Sequence, residues 1–244
     1  MLRPSVLLIA ALGLLGSACR STDHDRSSPA DDELADFVFV QFLAAEESHQ
    51  LAPGELQDMI AAHERWVRGL RAQGRVLLAG PLAPPRADPR QRAIAIVDLA
   101  DVGQVLELAE ENPAVTAGVL TAEAWPCRAP RSLRGTAAAQ RERVARLSPD
   151  AGPADFLRPY VLAFCSNVGT PRRALELLRQ DPRVLVAGEF GGPRAGETLL
   201  VLDVADAPEG NAMLVVIAPE LAACTLLPWF GPRALSRRGA STDR

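Results

Sequence analysis

The chain has 244 residues, of which 48% are apolar and 5% aromatic, and its formal net charge is −4. The apolar fraction is too high for a disordered chain. No basic excess is present to neutralise phosphates, so we expect no nucleic acid among the partners of this protein.

Residues 1–18 have the features of a secretory signal peptide: a positive charge at Arg3, a short apolar run, and then small residues. The apolar run is too short for a permanent transmembrane helix. Cys19 follows directly, and this arrangement resembles the lipobox of bacterial lipoproteins, which implies a lipid on Cys19 that anchors the protein to a membrane of the cell envelope. Without that lipid, the same signal predicts a secreted protein. Residues 19–35 are mostly polar and predict a flexible tether.

Residues 36–127 show strand and helix patterns in the order strand, helix, strand, strand, helix, strand. Continuous apolar runs indicate buried strands, whereas apolar residues three and four positions apart indicate a helix that ends near Gly74. Asp101, followed by Gln104, has the spacing of a capping box and predicts the start of the second helix. The four predicted strands are residues 36–44, 75–81, 93–99 and 115–127.

The second half of the chain repeats the first. Residues 75–80 (RVLLAG) match residues 183–188 (RVLVAG) at an offset of 108 positions (183 − 75). The Pro-Arg-Ala motif at residues 85–87 recurs at residues 193–195 with the same offset. Because separate segments share this offset, we predict a second, degenerate copy of the unit over residues 158–232.

The segment between the two copies, residues 128–157, is rich in Arg, Ala, Ser and Pro and is predicted to be a linker with a short helix over residues 137–147. In the second copy, Thr170 and Pro171 form a typical cap and first turn of a helix. Residues 233–244 are polar and are predicted to be a disordered tail.

The order βαββαβ is typical of the ferredoxin-like fold, in which two helices cover one face of an antiparallel sheet. The other face of such a sheet is left open. Two copies in one chain can bury their open faces against each other, so we predict an α+β fold of two tandem ferredoxin-like units packed as an intrachain pseudo-dimer.

Several short segments, taken in their order along the chain, resemble the YCII-related (YciI-like) family. The resemblance covers residues 36–127 well and residues 158–232 more weakly. It implies a dimeric α/β-barrel fold with a small cleft between sheet and helix. It also implies a small-molecule enzyme, one family chemistry being dehydrochlorination in the breakdown of chlorinated aromatics. The segments are Ala62-His63-Glu64-Arg65-Trp66, Gly74 to Pro81, Asn112-Pro113 and Ala117-Gly118.

The resemblance places His63 at the histidine of a family His–Asp acid/base pair. The position of His63 on the predicted helix agrees with this role. Ile60 and Val67 lie on the same side of the helix, and this apolar side is expected to face the sheet. A half-buried histidine with a polar partner can transfer protons near neutral pH. The alternative is a core histidine that is hydrogen-bonded to its neighbours. Asn112 replaces the family aspartate, and an amide can orient an imidazole but cannot stabilise an imidazolium as a carboxylate does.

Two functions remain open at this stage. The first is an exported module that binds a small molecule or a protein partner through a degenerate site, which is favoured by Asn112 and by Pro171 at the second-copy position of His63. The second is an acid/base enzyme, a lyase, isomerase or dehydrochlorinase-like protein, with His63 as the base. Arg75 is a candidate ligand-binding residue, since a guanidinium matches a carboxylate.

No motif indicates a cofactor or a metal, so we predict neither. His63 as a haem ligand has no second supporting feature, and no cysteine or histidine spacing is typical of metal ligation. Cys127, Cys165 and Cys224 lie in or beside apolar runs, which predicts buried cysteines. Three cysteines cannot all form disulfides within the chain, but export to an oxidising compartment would permit one disulfide.

Overall fold

The computed structural model describes residues 33–46, 52–148, 152–166, 172–219, 221 and 223–235. The predictions for the signal peptide, for Cys19 and most of the tether, for the helix start at Thr170 and Pro171, and for most of the C-terminal tail lie outside these residues. Within the described residues, no helix is long and apolar enough to cross a membrane.

The first half contains four strands, two longer helices and one short helix. They are β1 (Leu34–Ala44), α1 (Pro53–Ala72), β2 (Val76–Pro81), β3 (Gln91–Val97), α2 (Val102–Glu110), α3 (Pro113–Thr116) and β4 (Leu120–Pro130).

Both longer helices of this half have local start or stop signals. At the start of α1, the Glu55 carboxylate accepts a hydrogen bond of 3.1 Å from the backbone N–H of Ala52. The chain turns after α1 at Gly74, whose φ of +79° is readily adopted only by glycine. The Asp101 carboxylate accepts a hydrogen bond of 2.8 Å from the backbone N–H of Gln104, so α2 begins at the residue that the sequence predicts.

The fourth strand begins later than predicted. The sequence predicts a strand from residue 115, but Pro113–Thr116 form a short helix and β4 starts at Leu120. The cause is local, because the side-chain oxygen of Asn112 accepts a hydrogen bond from the backbone N–H of Ala114, and a proline occupies the first helical position.

The second half follows the same order of strands and helices, after a connecting segment that holds two helices. The connecting helices are α4 (Leu133–Ala145) and α5 (Pro153–Phe156), and the elements of the second half are β5 (Leu157–Ser166), α6 (Arg172–Gln180), β6 (Val184–Phe190), β7 (Glu197–Leu202), α7 (Ala207–Ile217) and β8 (Cys224–Pro232).

All eight strands form one sheet, in the order β2-β3-β1-β4-β6-β7-β5-β8, and their pairings are antiparallel. The halves join where β4 pairs with β6, with Cys127 opposite Phe190. The two outer edges also meet, because Leu82, just after β2, bridges to Trp229 in β8. The prediction of a mixed α/β fold with a mostly antiparallel sheet is therefore confirmed.

Both faces of this sheet are buried, which explains the continuous apolar runs in the sequence. Along β1, Phe37 and Phe39 pack into a core shared by strands of both halves, in which Trp229 is fully buried. Val38 and Val40 point to the opposite face and pack against α1 and α2. A third core lies between the second half of the sheet and its helices α6 and α7.

The cysteines divide into one pair and one free thiol. Cys165 and Cys224 lie opposite each other in the pairing of β5 with β8 and form a disulfide. Cys127 is buried and free. Burial raises the pKa of the Cys127 thiol to about 12, so this cysteine is a packing residue and not a nucleophile.

Candidate functional site

His63 lies on the side of α1 that faces the sheet, as its helical position predicts. The ring of Phe42 on β1 meets the imidazole edge-on, with 4.9 Å between the ring centroids. Trp66 stacks on the imidazole with 6.4 Å between the ring centroids, and it also contacts Phe42. Ile60 is 41% exposed, which is more than expected for the apolar side of α1, and it lines a cavity beside His63.

Asn112 holds His63 from α3. Its side chain has no exposed surface. The side-chain nitrogen of Asn112 lies 2.7 Å from Nδ1 of His63, and its side-chain oxygen accepts a hydrogen bond of 3.0 Å from the backbone N–H of Ala114. One residue therefore caps a helix and positions the histidine.

These two hydrogen bonds determine which imidazole nitrogen carries the proton. A backbone N–H can only donate, so the amide oxygen of Asn112 must face Ala114. The NH₂ group of Asn112 must then face His63, and Nδ1 must accept. The neutral imidazole consequently carries its proton on Nε2, which makes Nε2–H a hydrogen-bond donor.

The surroundings also keep the imidazole neutral. Burial lowers the pKa of His63 below its ordinary value. A hydrogen bond donated by Nδ1–H of His63 to the amide oxygen of Asn112 would raise the pKa of His63, but that oxygen already accepts from Ala114. A proton on Nδ1 would face the NH₂ group of Asn112, and two donors cannot form a hydrogen bond. The amide therefore favours the neutral form of the His63 imidazole.

A cavity of about 530 Å³ opens beside His63, between α1, the strands β1 to β3 and the segment that enters β5. This volume is in the range of small-molecule sites. Its lining is mainly apolar, and its apolar residues include Phe42, Leu56, Ile60, Val67, Ile94, Leu120 and Phe156.

Four arginines supply most of the polar lining of this cavity. Arg68 and Arg71 come from α1, Arg86 from the loop between β2 and β3, and Arg92 from β3. Arg71 donates to the backbone carbonyl of Ala79. Burial, together with the neighbouring charge of Arg68, lowers the pKa of Arg71 to about 10, so Arg71 remains a cation at neutral pH.

The other candidate residues have different places. Glu64 lines the cavity from an exposed position on α1, and no hydrogen bond joins it to His63 within the described residues. Arg75 does not line the cavity, and its prediction as a ligand-binding residue gains no support from the geometry. No group of three or more metal-ligating side chains occurs in the part of the chain that the structure describes.

The first half of the chain also matches a known protein family. Residues 38–124 match the YCII-related domain. The resemblance of the sequence to this family is thereby confirmed over less than half of the chain. The YCII-related segment contains His63, Asn112 and most of the residues that line the cavity.

Comparison with solved structures finds similarity to chlorite dismutase from Candidatus Nitrospira defluvii. A mutant of that protein in complex with cyanide is 12% identical, with a TM-score of 0.47, over 82% of this chain and 91% of the other. A second mutant is 13% identical, with a TM-score of 0.44, over 80% and 90% of the two chains. A comparison with curated proteins finds no match.

Sequence reasoning identifies His63 and Asn112 but misses the arginines of the cavity. Arg86 belongs to the repeated Pro-Arg-Ala motif, so the repeat carries a signal for it. Arg71 follows His63 by two helical turns, which is a weaker signal. Arg92 has none, because only the pairing of β3 with its neighbours brings it to the cavity.

Proposed function

We propose that the protein is an exported, small-molecule-binding module of the YCII-related type, in which Nε2–H of His63 donates a hydrogen bond to the ligand. The observation that carries this proposal is the pair of hydrogen bonds made by Asn112, to Ala114 and to His63. A histidine fixed as an Nε2–H donor is suited to binding, whereas a general base needs a free nitrogen lone pair toward its substrate.

The cavity supports a ligand with a large apolar part. Its wall consists mainly of aliphatic and aromatic side chains, with a small set of charged and polar groups among them. A small number of polar groups in an apolar cavity is the usual arrangement in sites that orient a small molecule. Trp66 and Phe42 both contact the imidazole ring, so its donor is pre-oriented.

The second candidate function is acid/base catalysis by His63 in a lyase, isomerase or dehydrochlorinase-like reaction. Its specific support is the contact of His63 with Asn112, the residue at the aspartate position of the family, beside a cavity that accepts a substrate. For catalysis, Nε2 would have to lose its proton, and the imidazolium would lack a carboxylate partner among the described residues.

Two substitutions separate these functions. The Nε2 amide of glutamine can replace an imidazole Nε2–H as a donor, whereas leucine of similar size cannot donate. A metabolite library is screened by thermal shift against the full chain, and each hit is tested for binding and turnover in the wild type, His63→Gln and His63→Leu.

The binding proposal predicts that His63→Gln retains most of the affinity and that His63→Leu weakens binding about threefold to tenfold, the range of one hydrogen bond. No turnover is expected. Turnover that both variants abolish would favour the enzyme instead. Ligands that bind all three proteins equally would place the site away from His63.

We also propose that the protein reaches the cell envelope and is anchored by a lipid on Cys19. The disulfide between Cys165 and Cys224 supports export, since structural disulfides persist mainly in oxidising compartments. The test is metabolic labelling with a radioactive fatty acid in a bacterial host. Wild type should be labelled and Cys19→Ser should not, and an unlabelled wild type would indicate secretion.

The arrangement of the strands supports the tandem origin of the fold. Each half places its fourth, first, third and second strands side by side, as β4-β1-β3-β2 and β8-β5-β7-β6. This is the strand order expected of a βαββαβ unit. We propose that the halves are two copies of one unit that pack as a pseudo-dimer, and that only the first retains the His63 site.

A further inference from the structure

Three arginines of the His63 cavity donate hydrogen bonds to backbone carbonyl oxygens. Arg86 donates through Nε and Nη2 to the backbone carbonyl of Leu82, at 3.1 and 2.7 Å. Arg92 donates to the carbonyls of Pro89 and Gln91. Within the described residues, no carboxylate forms an ion pair with Arg71, Arg86 or Arg92. Carbonyl oxygens satisfy some of their N–H groups but do not balance their charges.

Two half-buried arginines elsewhere in the protein have carboxylate partners. Arg158 lies 2.5 Å from Asp203, and Arg179 lies 2.7 Å from Glu189. Their side chains are 27% and 26% exposed. A half-buried guanidinium without a counter-ion is costly. Three such groups, those of Arg71, Arg86 and Arg92, line one cavity.

The repeat in the chain provides a direct internal comparison. Arg194 is the second-half counterpart of Arg86, within the Pro-Arg-Ala motif that recurs at an offset of 108 (194 − 86). Arg194 pairs with Glu197 at 2.5 Å and packs over the ring of Phe190. The second half thus pairs this arginine with a glutamate, whereas Arg86 in the first half lines the His63 cavity and donates to a backbone carbonyl.

Two of the cavity arginines are close to each other. The backbone N–H of Leu82 donates to the carbonyl of Arg92 at 2.8 Å, and Arg86 binds the carbonyl of the same Leu82. Burial and then the neighbouring charge of Arg86 lower the pKa of Arg92, and the smaller effect of the Asp88 carboxylate opposes them. An anion between the two guanidinium groups would relieve this repulsion. Arg71, bonded to Ala79 on β2, extends the positive wall toward His63.

We infer that the ligand of this cavity is an organic carboxylate with an apolar body, whose carboxylate lies against Arg86 and Arg92. This inference rests on the proposed function and adds the chemical class of the ligand. A guanidinium matches a carboxylate in shape and charge. The apolar body would lie against the lining from β1 and α1, within reach of the Nε2–H donor of His63.

The test is isothermal titration of the full chain with a panel of aryl and alkyl carboxylates of about six to fourteen carbons, a size that suits the cavity. Each acid is paired with its neutral carboxamide, and inorganic phosphate is a separate arm. The proteins are wild type, Arg86→Gln, Arg92→Gln and, as a charge-matched control outside the cavity, Arg75→Gln. Circular dichroism checks that each variant is folded.

We expect carboxylates to bind at least about tenfold more tightly than their carboxamides, a difference typical of one charge-assisted hydrogen bond. Arg86→Gln or Arg92→Gln should remove this preference, and Arg75→Gln should retain it. Carboxamides that bind as tightly as carboxylates, with dependence on His63, would overturn the inference but not the proposed function. Inorganic phosphate that binds in place of the organic acids would also overturn it. A wild type that binds neither acids nor amides would overturn both.

Discussion

The side-chain amide of Asn112 lies 2.7 Å from Nδ1 of His63 and has only one possible orientation. Its oxygen is committed to the backbone N–H of Ala114, so its NH₂ group faces the ring. A helix cap therefore controls the tautomer of a histidine on another helix. This relationship leaves Nε2–H of the neutral imidazole as a hydrogen-bond donor.

Asn112→Asp should move the proton of the neutral His63 imidazole from Nε2 to Nδ1. One carboxylate oxygen can still accept from Ala114, and the other would face Nδ1, which would then carry a proton. The negative charge stabilises the imidazolium, so the pKa of His63 should rise above that of the wild type. Long-range ¹H–¹⁵N NMR spectra of the imidazole, recorded over a pH series, report both the tautomer and the pKa.

Asn112→Ser is the matched control for this substitution. A serine can still cap α3 but cannot reach Nδ1 as the amide does. Burial alone should then set the pKa of His63, which should stay below its ordinary value. An Nδ1–H tautomer in the wild-type spectrum would contradict the orientation of Asn112 that we describe.

The lowered pKa of His63 should make the protein less stable in mild acid. Below the ordinary histidine pKa of about 6.5, the unfolded chain binds a proton that the folded chain does not bind. The free energy of unfolding should therefore fall as the pH drops through this range, until the folded-state pKa is reached. Urea denaturation between about pH 7.5 and about pH 5 measures this change.

His63→Gln is the control for this pH dependence, because glutamine retains a polar side chain but does not titrate. The variant should lose less stability than the wild type between the same two pH values. The other titrating groups are shared by both proteins, so their contributions cancel in the comparison. Equal losses in the two proteins would show that the pKa of His63 is the same in the folded and unfolded chains.

Much of the fold follows from periodicity and repetition. Phe37 to Val40 form one apolar run, which correctly indicates a strand buried on both faces. The short helix at Pro113 is missed, because the apolar residues that follow it resemble the start of a strand. The capping role of Asn112 depends on a hydrogen bond to Ala114 and becomes visible only with the local geometry.

The site is less predictable than the fold. His63 is found from its helix face and from its family position, and Asn112 from the family position alone. The cavity arginines are brought together by strand pairing, such as the contact of Leu82 with Arg92, which involves residues ten positions apart (92 − 82). Arg75 resembles a ligand-binding residue by its repetition, yet it does not line the cavity.

Removal of the disulfide between Cys165 and Cys224 should destabilise the second half of the sheet. The bond closes a loop with a sequence separation of 59 residues, and a cross-link of this kind contributes about 2–4 kcal/mol by restricting the unfolded chain. Urea denaturation of Cys165→Ala/Cys224→Ala should show a loss of this size. A reductant should lower the stability of the wild type and leave the double variant unchanged. An unchanged wild type would mean that the disulfide adds no stability.

A side chain at Gly80 should disrupt the contact between β2 and β8. A Cβ added at this position would lie 1.8 Å from the backbone carbonyl oxygen of Phe230, which is too close for any real contact. The carbonyl of Gly80 also accepts a hydrogen bond of 3.1 Å from the indole N–H of Trp229. Gly80→Ala should therefore move the backbone of one strand and lower the free energy of unfolding by at least about 3 kcal/mol.

Gly69→Ala provides the opposite expectation on the adjacent helix α1. A Cβ at Gly69 meets no atom within 4 Å, and alanine is the better helix former. This variant should gain up to about 1 kcal/mol of stability. Both changes add one methyl group. Urea denaturation of the two variants therefore distinguishes a steric clash between β2 and β8 from a general effect of replacing glycine. Gly80→Ala with wild-type stability would show that β2 and β8 do not meet as described.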